Sequence, residues 1–373
     1  MHPNTKQVIL FNENNTLQLD CGEKLTLVEV AYETYGELNS EGTNAIMVCH
    51  ALTGSAHAAD LYNNSINSVS TNHLPGWWNS AIGRDKALDP DKHFIISSNI
   101  LGSCYGTTGP TSLNPTNGKR YNMNFPQITV RDMVKVQCKL IEHLGVNQLL
   151  TVVGGSLGGM QVLEWAIMYP EKVKSIIPIA TSAKHSAWGI GLNEAARLSI
   201  MNDPAWNGGN YEEQPVKGLA LARAIAMISY RSQPSFEKRF GREMVDQIKK
   251  QISEKLLESP INYQVEHYLR YQGQKLVDRF DANTYIYLSR AMDIHDVSAD
   301  RGPVKEILGN IKVKSLSIGI SSDILYPADE QVEIANAIPK ASYAEIHSVH
   351  GHDAFLIEYE QLNRIIKDFL NEI

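Results

Sequence analysis

The sequence predicts an α/β fold, with a mostly parallel central sheet, helices on both faces and a helical insertion. Short apolar runs alternate with helical patterns along the chain, which is typical of parallel strands joined by helices. Several runs are apolar throughout, as expected for strands that are covered on both faces. One long interval, residues 185–301, has helical patterns but no strand pattern. This interval indicates an insertion between two strands of the sheet.

The predicted strands are the apolar runs 25–32 (LTLVEVAY), 45–49 (AIMVC), 93–97 (HFIIS), 149–153 (LLTVV), 174–180 (KSIIPIA), 315–320 (SLSIGI) and 343–346 (YAEI). One predicted helix begins at Thr129 and Asp132, which have the spacing of a capping box, and stops at Gly145. The last helix has an apolar stripe formed by Leu362, Ile366, Phe369 and Leu370. These elements build the predicted core domain, residues 1–184 and 302–373.

The interval 185–301 is predicted to be a helical lid domain over the core. Its helical stretches are 192–201, 216–232 and 242–258. In the second stretch, a three- and four-residue spacing predicts a buried stripe formed by Leu221, Ile225 and Ile228. The same spacing places Arg223, Met227 and Tyr230 together on a different face.

Composition and charge exclude several classes of function. The 373 residues are 43% apolar and 20% charged, with a net charge of −7, which argues against a nucleic-acid or anionic-membrane partner. No apolar run is long enough to span a membrane, and the first fifteen residues are too polar for a signal peptide. The four cysteines are widely scattered, so we expect free thiols in a reducing cytoplasm rather than a disulfide framework or a zinc site.

The segment 152–166 (VVGGSLGGMQVLEWA) contains the motif G-x-S-x-G around Ser156, between a strand-like run and a helix-like run. Small residues beside the serine allow a sharp strand-to-helix turn that exposes the hydroxyl. A glycine-rich turn also occurs where a helix simply packs close to a strand. The choice between these interpretations depends on the rest of the chain.

A serine hydroxyl becomes a good nucleophile only when a base removes its proton and a third group orients that base. In folds with this kind of turn, the partners follow in the order serine, acid, histidine, on loops after later strands. Asp323 fits the acid, since it comes just after a predicted strand and before Pro327. Taken alone, Asp323 could also be a surface turn residue.

The loop after the last predicted strand offers His347, His350 and His352 as the base. We select His352 because Gly351 permits a tight loop beside it and a helix follows at once. Two histidines separated by one residue can also bind a metal, but no further ligand is placed to complete such a site. The prediction is therefore a triad of Ser156, Asp323 and His352 without a metal.

Attack by a serine creates a negative oxygen that needs positioned donors. The backbone N–H of Leu157, directly after the serine, is one candidate. The loop 49–57 (CHALTGSAH) follows an early predicted strand, and we expect the second donor from the backbone around Leu52. His50 and His57 in this loop are interpreted as structural residues.

With these residues assembled, the chain resembles the homoserine O-acetyltransferases of the α/β-hydrolase superfamily. The likeness spans nearly the whole chain and includes the segments AYETYGELN (31–39), HALTGSAH (50–57), GWWNSAIG (76–83), GSCYGTTGPTSLNP (102–115), FPQITVRDMV (125–134), GGSLGGMQVLEWA (154–166), GLALARAIAMISYRS (218–232), RFDANTYIYL (279–288), AMDIHDV (291–297) and GHDAFLIE (351–358). Their combination is far more specific than the serine motif alone.

The resemblance implies a two-step acyl transfer without a cofactor, with acetyl-CoA as the acyl donor. Ser156 would take the acetyl group from acetyl-CoA, and His352, oriented by Asp323, would then activate the side-chain hydroxyl of L-homoserine. The product, O-acetyl-L-homoserine, feeds methionine synthesis.

By the same resemblance, Arg223 pairs with the homoserine carboxylate, Asp353 binds its amine, and Tyr230 belongs to the substrate site. Without the resemblance, Arg223 could be a solvated lid residue and Asp353 the acid of a helix N-terminus. The resemblance also implies a homodimer formed by the lid helices.

Three other functions remain open. A homoserine O-succinyltransferase would differ only in the acyl pocket. A carboxylesterase would use water as the acceptor and would not need a carboxylate clamp such as Arg223. A binding module on an inactive hydrolase fold would be expected to lack one of the three triad residues.

Overall fold

The computed structural model describes residues 2, 4–61, 75–246 and 261–373. Within these ranges the strands are β1 (Lys6–Phe11), β2 (Leu17–Gln18), β3 (Lys24–Leu25), β4 (Val28–Tyr35), β5 (Ala45–Cys49), β6 (Phe94–Ser98), β7 (Leu149–Gly155), β8 (Ser175–Ile179), β9 (Lys314–Ile320) and β10 (Ala341–Ile346). Eight of them form one sheet in the order β1-β4-β6-β5-β7-β8-β9-β10. β4 is antiparallel to both neighbours, and every pairing from β6 to β10 is parallel. The predicted mostly parallel sheet is confirmed.

The α-helices within the same ranges are α1 (Val130–His143), α2 (Leu157–Met168), α3 (Ala187–Met201), α4 (Val216–Ser229), α5 (Gln233–Arg239), α6 (Gln264–Val277), α7 (Ala282–Asp293), α8 (Val304–Gly309), α9 (Ala328–Ala337), α10 (Ala354–Ile357) and α11 (Tyr359–Leu370). α1 begins at the predicted capping box, where Thr129 accepts a hydrogen bond from the Asp132 N–H and the Asp132 carboxylate accepts one from the Thr129 N–H. This exchange satisfies two backbone donors that the helix itself leaves unpaired.

Each of the seven predicted strands corresponds to a strand of the sheet, with shifts at the ends. The run 25–32 is divided between β3 and β4, and β4 continues to Tyr35. β1 was not predicted. It pairs with β4 at the sheet edge, where Lys6, Gln7 and Ile9 are exposed. Its apolar run 8–11 (VILF) is a strand signal that was overlooked.

Helices α3 to α7 lie between β8 and β9, in the interval that the sequence assigns to a lid. The chain segments that enter and leave this interval run beside each other. The His185 N–H donates to the carbonyl oxygen of His295 (2.9 Å), and the Val297 N–H donates to that of Ala183 (2.9 Å). Most of the predicted helix 242–258 lies outside the described residues, and 242–246 are not helical. The domain boundaries at 185 and 301 stay a prediction.

The predicted buried stripe of the second lid stretch is wrong. Leu221 and Ile228 on α4 are 53% and 54% exposed. The helix instead buries a different set, Gly218, Leu219, Ala222, Ala226, Met227 and Ser229. The reason is close packing: a Cβ atom at Gly273 of α6 would lie 2.8 Å from the carbonyl oxygen of Ala220. A Cβ atom at Gly218 would lie 2.6 Å from that of Ser199 on α3. The small residues of α4 therefore face the neighbouring helices, while Leu221 and Ile228 point outward.

A search of the described helices finds none that is both long enough and apolar enough to cross a membrane.

Candidate active site

Ser156 lies on the sharp turn between β7 and α2. Its backbone has φ 59° and ψ −125°, a conformation that residues other than glycine rarely adopt. Hydrogen bonds on both sides hold this turn, since the Ser156 N–H donates to Ile179 (3.0 Å) and Thr181 Oγ1 donates to the Ser156 carbonyl oxygen (2.9 Å). The predicted strand–turn–helix context of the motif is present.

The small residues around the serine are required by close packing. A Cβ atom added at Gly158, in the first turn of α2, would overlap the carbonyl oxygen of Cys49 at the end of β5. This approach brings the start of α2 against the loop that follows β5. The positive end of the helix dipole therefore lies beside Ser156, where it favours a developing negative charge.

Asp323 and His352 meet as the sequence predicts. Asp323 follows β9, and its Oδ2 accepts a hydrogen bond from His352 Nδ1 at 2.7 Å. Its Oδ1 accepts from the backbone N–H groups of Leu325 (2.8 Å) and Tyr326 (3.0 Å). All the bonds of this buried carboxylate fix its direction, so it can hold the imidazole in one tautomer.

The His352 ring is buried among aromatic side chains. Burial alone would lower its pKa, but the charge and hydrogen bond of Asp323, helped by the charge of Asp353, outweigh burial and raise the pKa. Phe355 links this ring to the serine turn, because its ring lies 5.7 Å from that of His352 and packs against Gly155. The serine turn and His352 thus lie on either side of one phenylalanine.

Gly351 explains why His352 rather than a neighbouring histidine reaches the acid. Its φ is 68°, and a Cβ there would lie 2.6 Å from the backbone of Arg231. The side chain of His347 is 79% exposed and pairs with Glu345 (3.1 Å). His350 faces Ser235 (3.5 Å). The turn at Gly351 therefore directs one histidine of the three inward.

The two predicted oxyanion donors are available. Within the described ranges, neither the N–H of Leu52 nor that of Leu157 donates to a protein acceptor, although both residues are buried. Leu157 opens α2, where the first N–H groups of a helix have no partner inside the helix. Buried backbone donors without a partner are rare in proteins, which makes this pair a candidate site for an anionic oxygen.

His50 and His57 anchor the loop that carries Leu52. His50 Nε2 accepts a hydrogen bond from the Ile100 N–H (3.1 Å), its Nδ1 lies 2.8 Å from the Ala51 carbonyl oxygen, and burial lowers its pKa to about 4. His57 bonds Glu33 through Nδ1 (3.0 Å) and Asp60 through Nε2 (2.9 Å). Each ring holds the loop by both nitrogens, in agreement with the structural interpretation.

Three possible metal ligands, His2, His57 and Asp60, lie together in the described part of the chain. Both nitrogens of His57 are already bonded to carboxylates, and its ring stacks on that of His2 at 3.7 Å. Parallel stacked rings do not direct their nitrogens toward a common point, so this group reads as a structural cluster.

Arg223, Tyr230 and Asp353 also come together beside the base. The Tyr230 ring lies 5.4 Å from the Arg223 guanidinium and 5.8 Å from the His352 ring. The Asp353 N–H donates to the Tyr230 carbonyl oxygen (3.1 Å). Burial, more than the opposing charges of Arg231 and Arg223, raises the pKa of the Asp353 carboxyl. A cation and a carboxyl group thus lie within one cluster at the site.

Sequence reasoning missed two residues of this cluster. Arg231 Nε lies 3.3 Å from Asp353 Oδ2. The buried Tyr326 hydroxyl interacts with Ser156 and lies 3.4 Å from His185 Nδ1, and its ring is 5.3 Å from that of His352. Arg231 lies in the segment 218–232 that carries the resemblance, but its role was not recognised there. Tyr326 belongs to none of the quoted segments. Tyr326 follows Asp323 closely, which is the only sequence signal that could have suggested it.

Comparisons with known proteins agree with this geometry. Residues 44–359 match the model of the α/β-hydrolase fold family. The chain is 50% identical to a homoserine O-acetyltransferase of Carboxydothermus hydrogenoformans, over 96% of this chain and 93% of that one. Its structure is similar to the crystal structure of homoserine O-acetyltransferase from Bacillus anthracis (TM-score 0.87, 29% identity, 98% of this chain and 97% of that one). It is also similar to that of esterase E22 (TM-score 0.85, 27% identity, 98% and 100%).

The Asp323–His352 bond leads to a test that needs no knowledge of the natural substrate. Asp323→Asn should keep the fold but slow acylation of Ser156 by p-nitrophenyl acetate by about 10³- to 10⁴-fold, because an amide favours the wrong imidazole tautomer. The pH profile should also change. Without the carboxylate, burial lowers the His352 pKa, so the acidic limb of the residual activity should move to lower pH.

Asp329→Asn is the matched control, since Asp329 is an exposed carboxylate on α9 of the same region. It should leave both rate and profile unchanged. A loss below about tenfold in Asp323→Asn would place the orienting acid elsewhere.

Proposed function

The chain belongs to the homoserine O-acetyltransferase family, acyltransferases on the α/β-hydrolase fold, and on that premise we propose a two-step transfer in which Ser156 carries the acetyl group. The donor is acetyl-CoA, the acceptor is the side-chain hydroxyl of L-homoserine, and the product is O-acetyl-L-homoserine for methionine biosynthesis. The proposed chemistry uses side chains and backbone donors alone and needs no cofactor or metal.

In the first step, Ser156 Oγ attacks the thioester carbonyl of acetyl-CoA while His352 takes its proton at Nε2. The carbonyl oxygen becomes negative and accepts hydrogen bonds from the N–H groups of Leu52 and Leu157. The carbon–sulfur bond then breaks, and the CoA thiol leaves with the proton from His352. Asp323 stabilises the imidazolium that exists between these events.

In the second step, homoserine occupies the space that CoA has left. His352 removes the proton of the homoserine hydroxyl, and the oxygen attacks the acetyl-serine through a second oxyanion in the same place. The bond to Ser156 breaks, and His352 returns the proton to the serine. An acyl-serine in open water would be hydrolysed, so the helices over the site must favour the amino-acid acceptor over water.

The observation that carries the choice of acceptor is the position of Arg223. In the described part of the chain, no carboxylate forms an ion pair with its guanidinium, which lies over Tyr230 next to the base. A free guanidinium fork suits a carboxylate through two parallel hydrogen bonds. Homoserine carries that carboxylate and an ammonium on Cα, two carbons before its hydroxyl. We assign the carboxylate to Arg223, the ammonium to Asp353 and the wall between them to Tyr230.

The competing proposal is an ester hydrolase, which the similarity to esterase E22 favours. A hydrolase of neutral esters would not need a carboxylate clamp. A succinyl donor would need space or charge for a second carboxylate at the acyl end. We propose acetyl because the curated relative with 50% identity is a homoserine O-acetyltransferase.

The covalent intermediate can be observed directly. Incubation with acetyl-CoA alone should add one acetyl group to the peptide that contains Ser156, detected by peptide mass spectrometry, because without homoserine the second step has no acceptor. Ser156→Ala should abolish both the label and turnover. A label on a cysteine, or turnover near the normal rate in Ser156→Ala, would exclude this mechanism.

Arg223 should matter only after the serine is acetylated. Arg223→Ala should release the first equivalent of CoA at nearly the normal rate but transfer acetyl to homoserine about ten- to 150-fold more slowly, the effect of losing a charge-assisted hydrogen bond. Arg223→Lys should recover part of the rate, since a point charge cannot reproduce the two-pronged geometry. The measurement is the burst of CoA release compared with the steady state. Equal slowing of both phases would overturn the carboxylate assignment.

We further propose that the enzyme is a cytoplasmic homodimer joined through the lid. Its four cysteines are all free, which suits a reducing compartment. Exposed apolar side chains concentrate on the lid helices, including Trp188, Leu198, Leu221, Ile228 and Tyr271, and a patch of this kind favours association.

Sedimentation velocity should therefore report a dimer, and Leu221→Asp combined with Ile228→Asp should shift it toward monomer. Ile9→Asp changes an equally exposed apolar residue on β1 and should leave the dimer intact. A monomeric wild-type protein, or a double variant that remains dimeric, would contradict the lid interface.

A further inference from the structure

The loop that carries Leu52 is anchored at several points, and its middle is held differently from its ends. At its start, His50 is bonded to the backbone of Ala51 and Ile100, and at its end His57 is bonded to Glu33. These anchors belong to the sheet and to the loops of the core. Within the loop, the Gly54 N–H donates to the Ala51 carbonyl oxygen (2.9 Å) and closes a turn around residues 52 and 53. Contacts from outside the loop fix where this turn sits.

The middle of the loop is held from the lid by Arg279. Arg279 lies between α6 and α7, and its Nη1 donates to the carbonyl oxygen of Thr53 at 2.8 Å. Its Nη2 lies 3.3 Å from Thr53 Oγ1, and Nη1 also donates to the Tyr105 hydroxyl at 2.7 Å. One guanidinium therefore connects the lid to two core loops. Arg279 and Thr53 are 226 residues apart in the sequence.

The partners of Arg279 are unusual for a half-buried arginine. All three acceptors are neutral, and in the described part of the chain no carboxylate forms an ion pair with it. Tyr105 has a pKa raised to about 12, chiefly by burial, so it too is neutral. The charged guanidinium thus holds both the carbonyl oxygen and the side-chain hydroxyl of Thr53, the residue directly after Leu52. A charged donor makes these hydrogen bonds stronger than a neutral donor would.

We propose that Arg279 is a positioning residue that holds the oxyanion loop from the lid, so that the Leu52 N–H is directed at the acyl oxygen. The inference rests on the proposed function, because it takes Leu52 as an oxyanion donor. Donors in such a site stabilise the transition state only when they are already in place before the reaction. Both steps of the transfer form an oxyanion at the same location. Arg279 therefore acts on both steps, whereas Arg223 acts on the second.

The test uses a fluorophosphonate probe as well as the natural substrates. Ser156 Oγ attacks the phosphorus, fluoride leaves, the serine proton passes to His352, and the phosphoryl oxygen occupies the oxyanion site. Arg279→Met should slow this labelling, the acetyl-CoA burst and the steady-state transfer by a similar factor of about 10- to 100-fold, somewhat less than the loss of a whole oxyanion donor. The KM for homoserine should stay near its normal value.

Arg279→Lys should recover part of the rate in all three assays, since an ammonium can bond Thr53 but cannot span Thr53 and Tyr105 together. If Arg279→Met does not fold, Arg279→Lys still decides the question, because a partial and equal loss in the three assays is expected of it. Arg242→Gln is the matched control. Arg242 is a lid arginine that donates to the Tyr263 hydroxyl (2.9 Å) within the lid, and its replacement should leave all rates unchanged.

A merely structural arginine would lower the melting temperature without changing the labelling rate of the folded protein, and that result would overturn the proposal. So would normal rates in both Arg279 variants, or a loss confined to the homoserine step. If the wild-type protein reacts with the fluorophosphonate but does not transfer acetyl groups, the proposed function fails. A slower reaction of Arg279→Met with the probe would then still support the positioning role.

Discussion

The site is built around the strained backbone at Ser156, which is held where the ends of β5, β7 and β8 come together. Ser156 has a positive φ, and it keeps this conformation because hydrogen bonds to Ile179 and from Thr181 fix both sides of the turn. The turn lifts the serine out of the sheet and starts α2 immediately afterwards. The same turn therefore exposes the nucleophile and leaves the N–H group of Leu157 free.

The base and the acid depend on the same edge of the sheet. Parallel strands end at one edge, and β7, β9 and β10 each end in a loop that supplies one residue. Two backbone N–H groups bind Oδ1 of Asp323, and its Oδ2 accepts the hydrogen bond from His352. The helices between β8 and β9 then cover this edge. In the proposed function they contribute Arg223 and Tyr230, which recognise the amino acid, rather than groups that react.

Features of the fold and the site could be predicted from the sequence where neighbouring residues encode them. Most of the strands, the capping box at Thr129 and the serine turn are encoded by neighbouring residues and were predicted. The pairing of Asp323 with His352 was predicted because chain order and loop position restrict the choice. The predicted buried face of α4 was wrong, since the spacing of apolar residues does not reveal where Gly218 and Gly273 let the helices approach closely. Arg231, Tyr326 and Arg279 were missed because their partners are defined only by the folded chain.

In the proposed reaction, an acyl group passes through the site from a thioester to an amino-acid hydroxyl. The most direct measurement offers the purified protein acetyl-CoA or succinyl-CoA, each with homoserine or with water alone, and follows CoA release. Sustained release is expected only with acetyl-CoA and homoserine together, with one O-acetylhomoserine formed for each CoA. Equally fast release in water alone would identify a hydrolase, and preference for succinyl-CoA would contradict the proposed acyl donor.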